Sequence, residues 1–450
     1  MITDQEFSAA IATLLQGFSQ FGIKLGLDST RTLLHHLGNP HHHVPTVHVA
    51  GTNGKGSVCA YLSSILAASG YRVGRYTSPH LVDWTERICI NGQAIAPPVL
   101  LAILQQIANI VGDRHLPTTQ FELITAAAWM YFAQEQVDIA IIEVGLGGRL
   151  DATNVCDRPL ASVITSISRD HWQQLGSTLG HIAMEKAGIL KPECPAIIGP
   201  LPPEAERAIA QRIQDVPCPV YWVQPATPLD PPTLQYHPPR HSPLLAPHSP
   251  LTYTIPLLGD YQRTNSALAI ATSQVLQSQG WKISTDQIRT GLAQTTWAGR
   301  LQWVQWNGLK ILVDGAHNQA SAAALRRYVD QLPQPIHWIM GMLETKDHDA
   351  IFRELLRGGD RLSLVPIPAA ASTSPTDLAQ LAQQCCPTLH TCQIGTDILA
   401  LLDHLATQPP PEADQLPTDA SPRAPQGTLV LCGSLYLIGH VFSTLLPSPT

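Results

Sequence analysis

Short runs of apolar residues recur along the N-terminal half of the chain, and patterns typical of helices separate them. Five of these runs occupy 46–50, 71–76, 138–144, 160–167 and 194–199. Continuous apolar strands that alternate with helices indicate a parallel sheet with both faces covered. Ligands of such sheets bind beyond the carboxyl ends of the strands, so we expect the functional residues at that edge.

Helical patterns occupy the intervals between the strand runs. An amphipathic lead-in extends to about Leu37, the clearest intervening helix is predicted over 120–136, and a helical pattern returns over 261–292. A second series of strand-then-turn units follows, at 309–318, 335–347, 360–367 and 427–439. We therefore predict an α/β protein with a mostly parallel N-terminal domain over 1–297 and a smaller α/β domain over 298–450.

Two proline-rich stretches interrupt this pattern. Residues 224–250 contain few apolar residues at any regular spacing and are predicted to form an irregular surface excursion. Residues 408–426 cannot bury enough apolar surface to become ordered, so they are predicted to be a disordered loop.

The composition is that of an ordinary globular protein. The 450 residues are 44% hydrophobic and 14% charged, and the net charge of −7 provides no basic surface for nucleic acid. No apolar run approaches the roughly 18 residues of a membrane helix, and the first residues contain Asp4 and Glu6 without a basic leader. We expect a soluble, cytoplasmic, monomeric protein that binds neither nucleic acid nor membrane and acts on small molecules.

The cysteines and histidines suggest no metal centre of their own. Nine scattered cysteines without a C-x-x-C pair favour reduced thiols over disulfides or zinc. His41–His43 precede the first strand run; a solvated polar loop is favoured over metal binding because consecutive side chains diverge.

The segment VHVAGTNGKGSVCAYL, residues 47–62, has the features of a phosphate-binding loop between a strand and a helix. Gly51, Gly54 and Gly56 allow backbone N–H groups to turn toward phosphate oxygens, and Lys55 can reach the β- and γ-phosphates. The loop departs from the common pattern, because Gly56 separates Lys55 from Ser57.

Polar residues follow other strand ends. Glu143 ends a buried strand run before a glycine-rich turn, Asp170 and His171 follow the next strand, and Ser78 lies in a loop over 76–92. Magnesium bound to nucleotide phosphates typically takes one or two carboxylates, so Glu143 alone meets that need.

Two motifs near the predicted domain boundary and beyond it add charged residues. GRLQ, 299–302, supplies Arg300, and VDGAHN, 313–318, supplies Asp314 and His317. A buried strand that ends in Asp and His together indicates a polar ligand.

These motifs together resemble those of the folylpolyglutamate and dihydrofolate synthases, members of the Mur ligase superfamily. HVAGTNGKGS, YTSPHL, TQFELIT, EVGLGGRLDATN, DH, EKAGILK, GDYQRTN, GRLQ and VDGAHN occur in the family's order and at about its spacing, over roughly residues 20–440. The resemblance implies a P-loop-type ATPase domain that binds ATP and folate, followed by a Rossmann-like domain that helps to bind glutamate.

The resemblance also implies roles for individual residues. Nucleotide contacts are implied for Thr52, Asn53, Gly54, Lys55, Gly56, Ser57, Asn265, Arg300 and Asp314. Contacts with the pterin end of the substrate are implied for Phe121, Leu150, Asp151 and Ala152. Magnesium ligands are implied at Ser78, Glu143 and His171. Catalytic roles are implied for Lys55, His171, Lys186, Arg300 and His317. One departure is Tyr261, which stands where the family usually has His.

Lys186 lies in the helical pattern HIAMEKAGILKP, in which Ile182, Met184 and Ala187 are expected to pack. The ordinary interpretation is an exposed lysine paired with a nearby glutamate. The resemblance implies instead a carbamylated lysine that helps to hold a second magnesium ion.

The implied reaction is ATP-dependent amide ligation through an acyl phosphate, in which L-glutamate is joined to a folate or dihydropteroate carboxylate. A bifunctional enzyme is our prediction, with activity on one acceptor only as an alternative. A cell-wall Mur ligase would need a UDP-binding domain, and only about fifty residues precede the loop. A P-loop ATPase or nucleotide-binding regulator has no reason to contain TSPHL or DGAHN.

Overall fold

The computed structural model describes residues 3–19, 22, 25–239, 249–368, 371–407 and 427–445. The chain divides into two compact units. One comprises Met1–Pro256 and Tyr261–Trp297, and the other comprises Leu257–Asp260 and Ala298–Thr450. Each unit contains its own large sheet with helices between the strands.

The first unit is built on an eight-stranded sheet. Its strands are β1 (Thr46–Ala50), β2 (Val73–Tyr76), β3 (Ile88–Ile90), β4 (Gln93–Ala94), β5 (Ile139–Glu143), β6 (Ala161–Ile164), β7 (Ala196–Ile198) and β8 (Val220–Trp222). They lie in the order β4-β3-β2-β5-β1-β6-β7-β8, and the strands from β2 to β8 in that order are parallel. The five predicted strand runs are therefore confirmed as neighbouring parallel strands.

Helices cover this sheet. They are α1 (Asp4–Gln16), α2 (Asp28–His36), α3 (Lys55–Ala68), α4 (Pro97–Arg114), α5 (Gln120–Gln134), α6 (Trp172–Leu175), α7 (Leu179–Ala187), α8 (Pro203–Asp215), α9 (Tyr261–Ser278) and α10 (Thr285–Gln294). Helix α3 packs against α9 and α10, and α5 packs against α4. All five residues of β1 and of β5 are buried, which explains why β5 has a continuous apolar run from Ile139 to Ile142 rather than an apolar–polar alternation.

The strand register places the ends of the central strands at one level. Val49 of β1 pairs with Glu143 of β5, and Ala50 pairs with Ile164 of β6. The loops after β1, β5 and β6 therefore leave the sheet side by side. The loop after β2 leaves the same edge, one strand further along.

The prediction of an irregular excursion over 224–250 was wrong for part of that stretch. A small antiparallel sheet forms from β9 (Thr227–Pro228), β10 (Thr233–Tyr236) and β11 (Leu251–Thr254). Leu234 and Tyr236 are buried, as are Leu251 and Tyr253, so β10 and β11 have the two-residue alternation of a half-buried sheet. Residues 240–248, and the second proline-rich stretch at 408–426, lie outside the described residues.

The histidine cluster before β1 differs from the predicted solvated loop at one position: His42 and His43 are exposed, but His41 is not. Pro40–His43 form a short 3-10 turn, and His41 is buried with its ring 6.3 Å from that of Trp129. Burial lowers the pKa of His41 to about 4, with His42 adding to the effect. His41 is therefore a buried, neutral histidine rather than the expected solvated side chain.

The second unit contains a six-stranded sheet. Its strands are β12 (Gln302–Trp306), β13 (Leu309–Val313), β14 (Ile336–Met340), β15 (Arg361–Leu364), β16 (Thr391–Ile394) and β17 (Thr428–Cys432). Its helices are α11 (Gln319–Val329), α12 (His348–Leu355), α13 (Pro375–Cys385), α14 (Ile398–Thr407) and α15 (Leu435–Leu445). The order is β12-β13-β17-β14-β15-β16, with only β12 antiparallel to its neighbour. The four predicted strands are present; β12 and β16 complete the sheet at its edges.

The structure also bears on the state of the cysteines and on membrane-spanning helices. All nine cysteines lie in the described part of the chain, and all are free thiols. Among the described residues, no helix combines the length and apolar character that crossing a membrane requires.

We expect Tyr236→Ala to lower the free energy of unfolding by about 3 kcal/mol, because it leaves a cavity in a packed sheet. Tyr236 is 0% exposed and donates a hydrogen bond to Gln274 at 3.1 Å. Urea unfolding of the variant measures the effect. Leu229→Ala in the same stretch is the control, since Leu229 is 43% exposed and should be nearly neutral. Equal effects of the two changes would contradict a packed sheet here.

Candidate active site

The loop after β1 turns sharply into α3. Gly54 has φ +90° and precedes the first residue of the helix, Lys55. A Cβ atom on Gly51 would lie 1.9 Å from Oγ1 of Thr165, and one on Gly54 would lie 2.4 Å from Oδ1 of Asn265. A side chain at either glycine would therefore clash with these neighbours. The N-terminus of α3 provides the N–H groups and the partial positive charge that favour phosphate binding.

The loop after β6 holds the phosphate loop in shape. Thr52 donates its backbone N–H to the carbonyl of Ser166 at 2.7 Å, and Asn53 donates to Oγ of Ser166 at 3.1 Å. Oγ1 of Thr165 donates to the carbonyl of Asn53 at 2.6 Å. The hydroxyl of Thr52 donates to the carbonyl of Ser168 and accepts from the backbone N–H of Ser168, each at 3.1 Å. These supporting residues were not predicted from the sequence. The available signal was the hydroxyl-rich sequence TSIS, 165–168, at the end of the predicted strand run 160–167.

Lys55, Glu143 and Ser78 meet beside this loop. Nζ of Lys55 lies 3.9 Å from Oε1 of Glu143 and donates to the carbonyl of Thr52 at 3.3 Å. Oε2 of Glu143 accepts a hydrogen bond from the backbone N–H of Ser78 at 3.2 Å. Glu143 is buried, so an ionised carboxylate here requires compensating charge.

The residues present fit a magnesium ion bound together with phosphate. Glu143 and Ser78 provide a carboxylate and a hydroxyl at adjoining strand ends. His171 follows β6, adopts a left-handed conformation before α6, and has a side chain that is 44% exposed. Among the described residues, no group of three or more His, Cys, Asp or Glu could hold a metal by itself. A hard cation that takes most of its oxygen ligands from phosphate and water needs no such group.

Lys186 is buried at the same edge of the sheet. Its Nζ donates a hydrogen bond to the carbonyl of Gly51 at 2.9 Å. Burial, and then the charge of Lys55, lower the pKa of Lys186 to about 7. The interpretation as an exposed lysine was therefore wrong. Met184 was also expected to pack but is 38% exposed, because residues 182, 183, 186 and 187 form the inward face of α7.

The loop after β5 surrounds the carboxylate of Asp151. Oδ2 accepts a hydrogen bond from the N–H of Leu146 at 2.7 Å. Oδ1 accepts one hydrogen bond from the N–H of Thr153 at 3.0 Å and a second from the Thr153 hydroxyl. The Thr153 hydroxyl also lies 2.9 Å from Nε2 of His48 in β1. Burial raises the pKa of Asp151, and these hydrogen bonds oppose that rise. Asp151 thus fixes the shape of the loop that carries it.

The other residues assigned to substrate and nucleotide lie around these loops. Phe121 covers Gly145, where a Cβ atom would lie 2.3 Å from the ring. Ala152 is buried, and the carbonyl of Leu150 accepts from the N–H of Gly26 at 3.2 Å. Asn265 donates to Gln262, which in turn donates to Oγ of Ser57 at 3.3 Å.

Arg300, Asp314 and His317 belong to the second unit. The buried carboxylate of Asp314 accepts from the N–H groups of Leu301 and Ala316, each at 2.9 Å. Burial raises the pKa of Asp314, and Arg300 opposes the rise. Nδ1 of His317 lies 2.8 Å from the carbonyl of Gly315. A carbonyl only accepts, so Nδ1 is the protonated nitrogen in this contact.

Comparison with known proteins places this site in a family. The Mur ligase middle domain matches residues 49–273, and the dihydrofolate synthetase C-terminal domain matches residues 300–444. The chain is 35% identical over 438 residues to the folylpolyglutamate synthase of Lacticaseibacillus casei, covering 92% of this chain and 93% of that protein. The chain belongs to the folylpolyglutamate and dihydrofolate synthase family of Mur ligases.

Other members are similar over most of their length. The probable dihydrofolate synthetase of Schizosaccharomyces pombe is 32% identical, over 94% of this chain and 99% of its own. E. coli FolC in complex with DHPP and ADP superimposes with a TM-score of 0.79 at 30% identity, covering 97% of each chain. A bifunctional folylpolyglutamate synthase/dihydrofolate synthase with Mn, AMPPNP and L-glutamate bound has a TM-score of 0.78 at 29% identity, covering 97% of this chain and 98% of its own. The predicted family and fold are confirmed; the roles of individual residues stay predictions.

We expect Glu143→Ala to abolish turnover while the fold is retained, because the change removes the strand-end carboxylate beside Ser78 and Lys55. Steady-state ADP release at low millimolar magnesium measures the loss, and circular dichroism monitors the fold. Glu185→Ala is a matched control at a carboxylate that pairs with Arg149. A wild-type rate in Glu143→Ala would refute the assignment.

Proposed function

We propose that this protein is a bifunctional ligase that uses ATP to join L-glutamate to the carboxylate of dihydropteroate and of folates. The observation that supports it most strongly is the phosphate loop itself. The carbonyl of Gly51 accepts a hydrogen bond from the buried amine of Lys186, and Lys55 lies 3.9 Å from the strand-end carboxylate of Glu143. Relatives in this family match the chain over nearly its whole length.

The chemistry proceeds in two balanced steps. A carboxylate oxygen of the acceptor attacks the γ-phosphorus of ATP, and ADP leaves, which gives an acyl phosphate. The amine of L-glutamate then attacks the acyl carbon, the amide bond forms, and phosphate leaves with the bond electrons while the amine loses its proton. Phosphoryl transfer of this kind depends on positioning and charge rather than on a protein nucleophile.

The residues of this chain supply that positioning and charge. Residues Thr52–Ser57 are assigned to the phosphates, with the N–H groups at the N-terminus of α3 as donors, and Lys55 contributes a positive charge. Ser78, Glu143 and His171 would hold a magnesium ion, which supplies neutralisation of phosphate charge. In the second unit, Arg300 and Asp314 are assigned to the nucleotide and His317 to the reacting phosphate.

Lys186 is assigned as a carbamylated lysine. A neutral amine attacks carbon dioxide through its nitrogen, a C–N bond forms, and one proton is released, which leaves an anion. The lowered pKa of Lys186 makes the neutral amine available near pH 7. An anion at this position would assist the binding of a second magnesium ion, whereas a cation would repel it.

The acceptor is assigned to the loops of the first unit. Phe121 of α5 packs against Gly145 in the loop after β5, and that loop also contains the segment Leu150–Ala152. We assign the pterin end of the acceptor to these residues. The relatives include both a folylpolyglutamate synthase and a probable dihydrofolate synthetase, which supports activity on both acceptors. The expected assembly is a monomer in the cytoplasm.

Continued ADP release should require acceptor, L-glutamate and magnesium together, because phosphoryl transfer needs the acceptor and L-glutamate must consume the acyl phosphate before the next turnover. Coupled ADP release with dihydropteroate, with tetrahydrofolate and without acceptor measures this dependence. Turnover with both acceptors supports the bifunctional assignment, and turnover with one identifies a monofunctional enzyme. ATP hydrolysis at the same rate without acceptor would eliminate the ligase.

Lys186→Ala should lose most of its turnover and retain nucleotide binding, and acetate should restore part of the rate by replacing the carbamate. Lys191→Ala is a control, since Lys191 is partly buried and also has a lowered pKa. When bicarbonate is removed and returned, wild-type activity should recover faster above pH 7 than below it, because the amine is then neutral. A crystal structure with nucleotide, magnesium and bicarbonate that shows an unmodified ammonium would refute the carbamate.

A further inference from the structure

The glycine between Lys55 and Ser57 has a physical reason in this structure. Gly56 is the second residue of α3, and a Cβ atom on it would lie 2.7 Å from Cζ2 and 3.1 Å from Nε1 of Trp297. An indole is large and rigid, so it does not yield as a flexible side chain does. The residue after Lys55 therefore has no room for a side chain while Trp297 is in place.

Helix α10 brings Trp297 to this position. A Cβ atom on Gly291 of α10 would lie 2.4 Å from Cα of Ile65, so the two helices are in backbone contact there. Ile65 lies toward the end of α3, and Gly56 lies at its start. The segment from Gly291 to Trp297 therefore follows α3 back to the turn that faces the phosphate site. Trp297 is also the last residue of the first unit.

Trp297 makes a second contact, with the strand that leads to Ser78. The guanidinium carbon of Arg75 lies 5.0 Å from the centroid of the indole, within the range of a cation–π interaction. Arg75 belongs to β2 and also donates to Sγ of Cys89 at 3.4 Å. Three residues after Arg75 comes Ser78, whose N–H donates to Glu143.

We propose that Trp297 is a positioning residue for the nucleotide. Its indole fixes the first turn of α3 relative to β2, and so sets the distance between the N–H groups assigned to phosphate and the Ser78 end of the metal site. The loop pattern Gly-Lys-Gly-Ser follows from this contact, because only glycine admits the indole. The inference rests on the proposed function and adds to it a residue outside the assigned site.

Four variants and one control test the proposal. The variants are Trp297→Leu, Trp297→Phe, Gly56→Ala and the double change Gly56→Ala with Trp297→Leu. The control is Trp281→Leu, since Trp281 is half-buried in the same unit and packs on Tyr71, with ring centroids 4.9 Å apart. Calorimetric binding of ADP with magnesium is the main measurement, because it needs no acceptor. The KM values for ATP and for acceptor, and urea unfolding, accompany it.

Trp297→Leu should weaken ADP binding by about tenfold and leave the KM for acceptor within about twofold, because the phosphate loop alone is displaced. Trp297→Phe should retain most of the affinity. Gly56→Ala should lose about 100-fold, and the double variant should bind more tightly than Gly56→Ala, since the smaller Leu removes the clash. Trp281→Leu should lower stability without changing ADP affinity.

Unchanged ADP affinity in Trp297→Leu overturns the proposal, and so does a double variant that binds no better than Gly56→Ala. If Gly56→Ala does not fold, the two Trp297 variants decide: affinity lost with Leu and kept with Phe supports positioning, and equal affinity refutes it. Failure of the ligase assay with every acceptor, while ADP still binds, would count against the proposed function and not against this inference.

Discussion

The chemistry of this protein depends on the position of β1 between β5 and β6. Parallel register places the ends of the three strands at one level, so the phosphate loop leaves the sheet with Glu143 on one side and the hydroxyl-rich loop after β6 on the other. Thr165, Ser166 and Ser168 hydrogen-bond to the phosphate loop from that second side. A shift of one strand by a single residue would reverse its side chains and separate these partners.

Burial then determines the charge states at this edge. Glu143 is buried and lies 3.9 Å from the ammonium of Lys55, which compensates a carboxylate charge at this edge. Lys186 is buried with its Nζ against the carbonyl of Gly51, and burial, followed by the charge of Lys55, lowers its pKa. Two lysines near one loop thus differ in environment: Lys55 lies beside the carboxylate of Glu143, and Lys186 is buried against the carbonyl of Gly51 and has a lowered pKa.

His41 and Tyr236 differ from their predicted environments for the same reason. His41 was expected in solvent and lies against Trp129, and Tyr236 was expected in an irregular stretch and is a core residue of a small sheet. In both cases the local sequence is rich in proline and polar residues, and the partner that buries the side chain is distant in sequence. Trp129 is 88 positions after His41, and Gln274 is 38 positions after Tyr236. Local composition contains no information about such partners.

The sequence by itself determined the parallel strands, the phosphate loop, the strand-end carboxylate and the family, because apolar runs and glycine spacing are local properties that the backbone must obey. The tertiary structure alone decided the environment of each charge. It showed that Lys186 reaches Gly51, 135 positions away, and that Gly56 is opposite Trp297. Desolvation and close packing arise only when distant segments meet, and for that reason the state of a lysine, or the need for a glycine, cannot be derived from its neighbours in sequence.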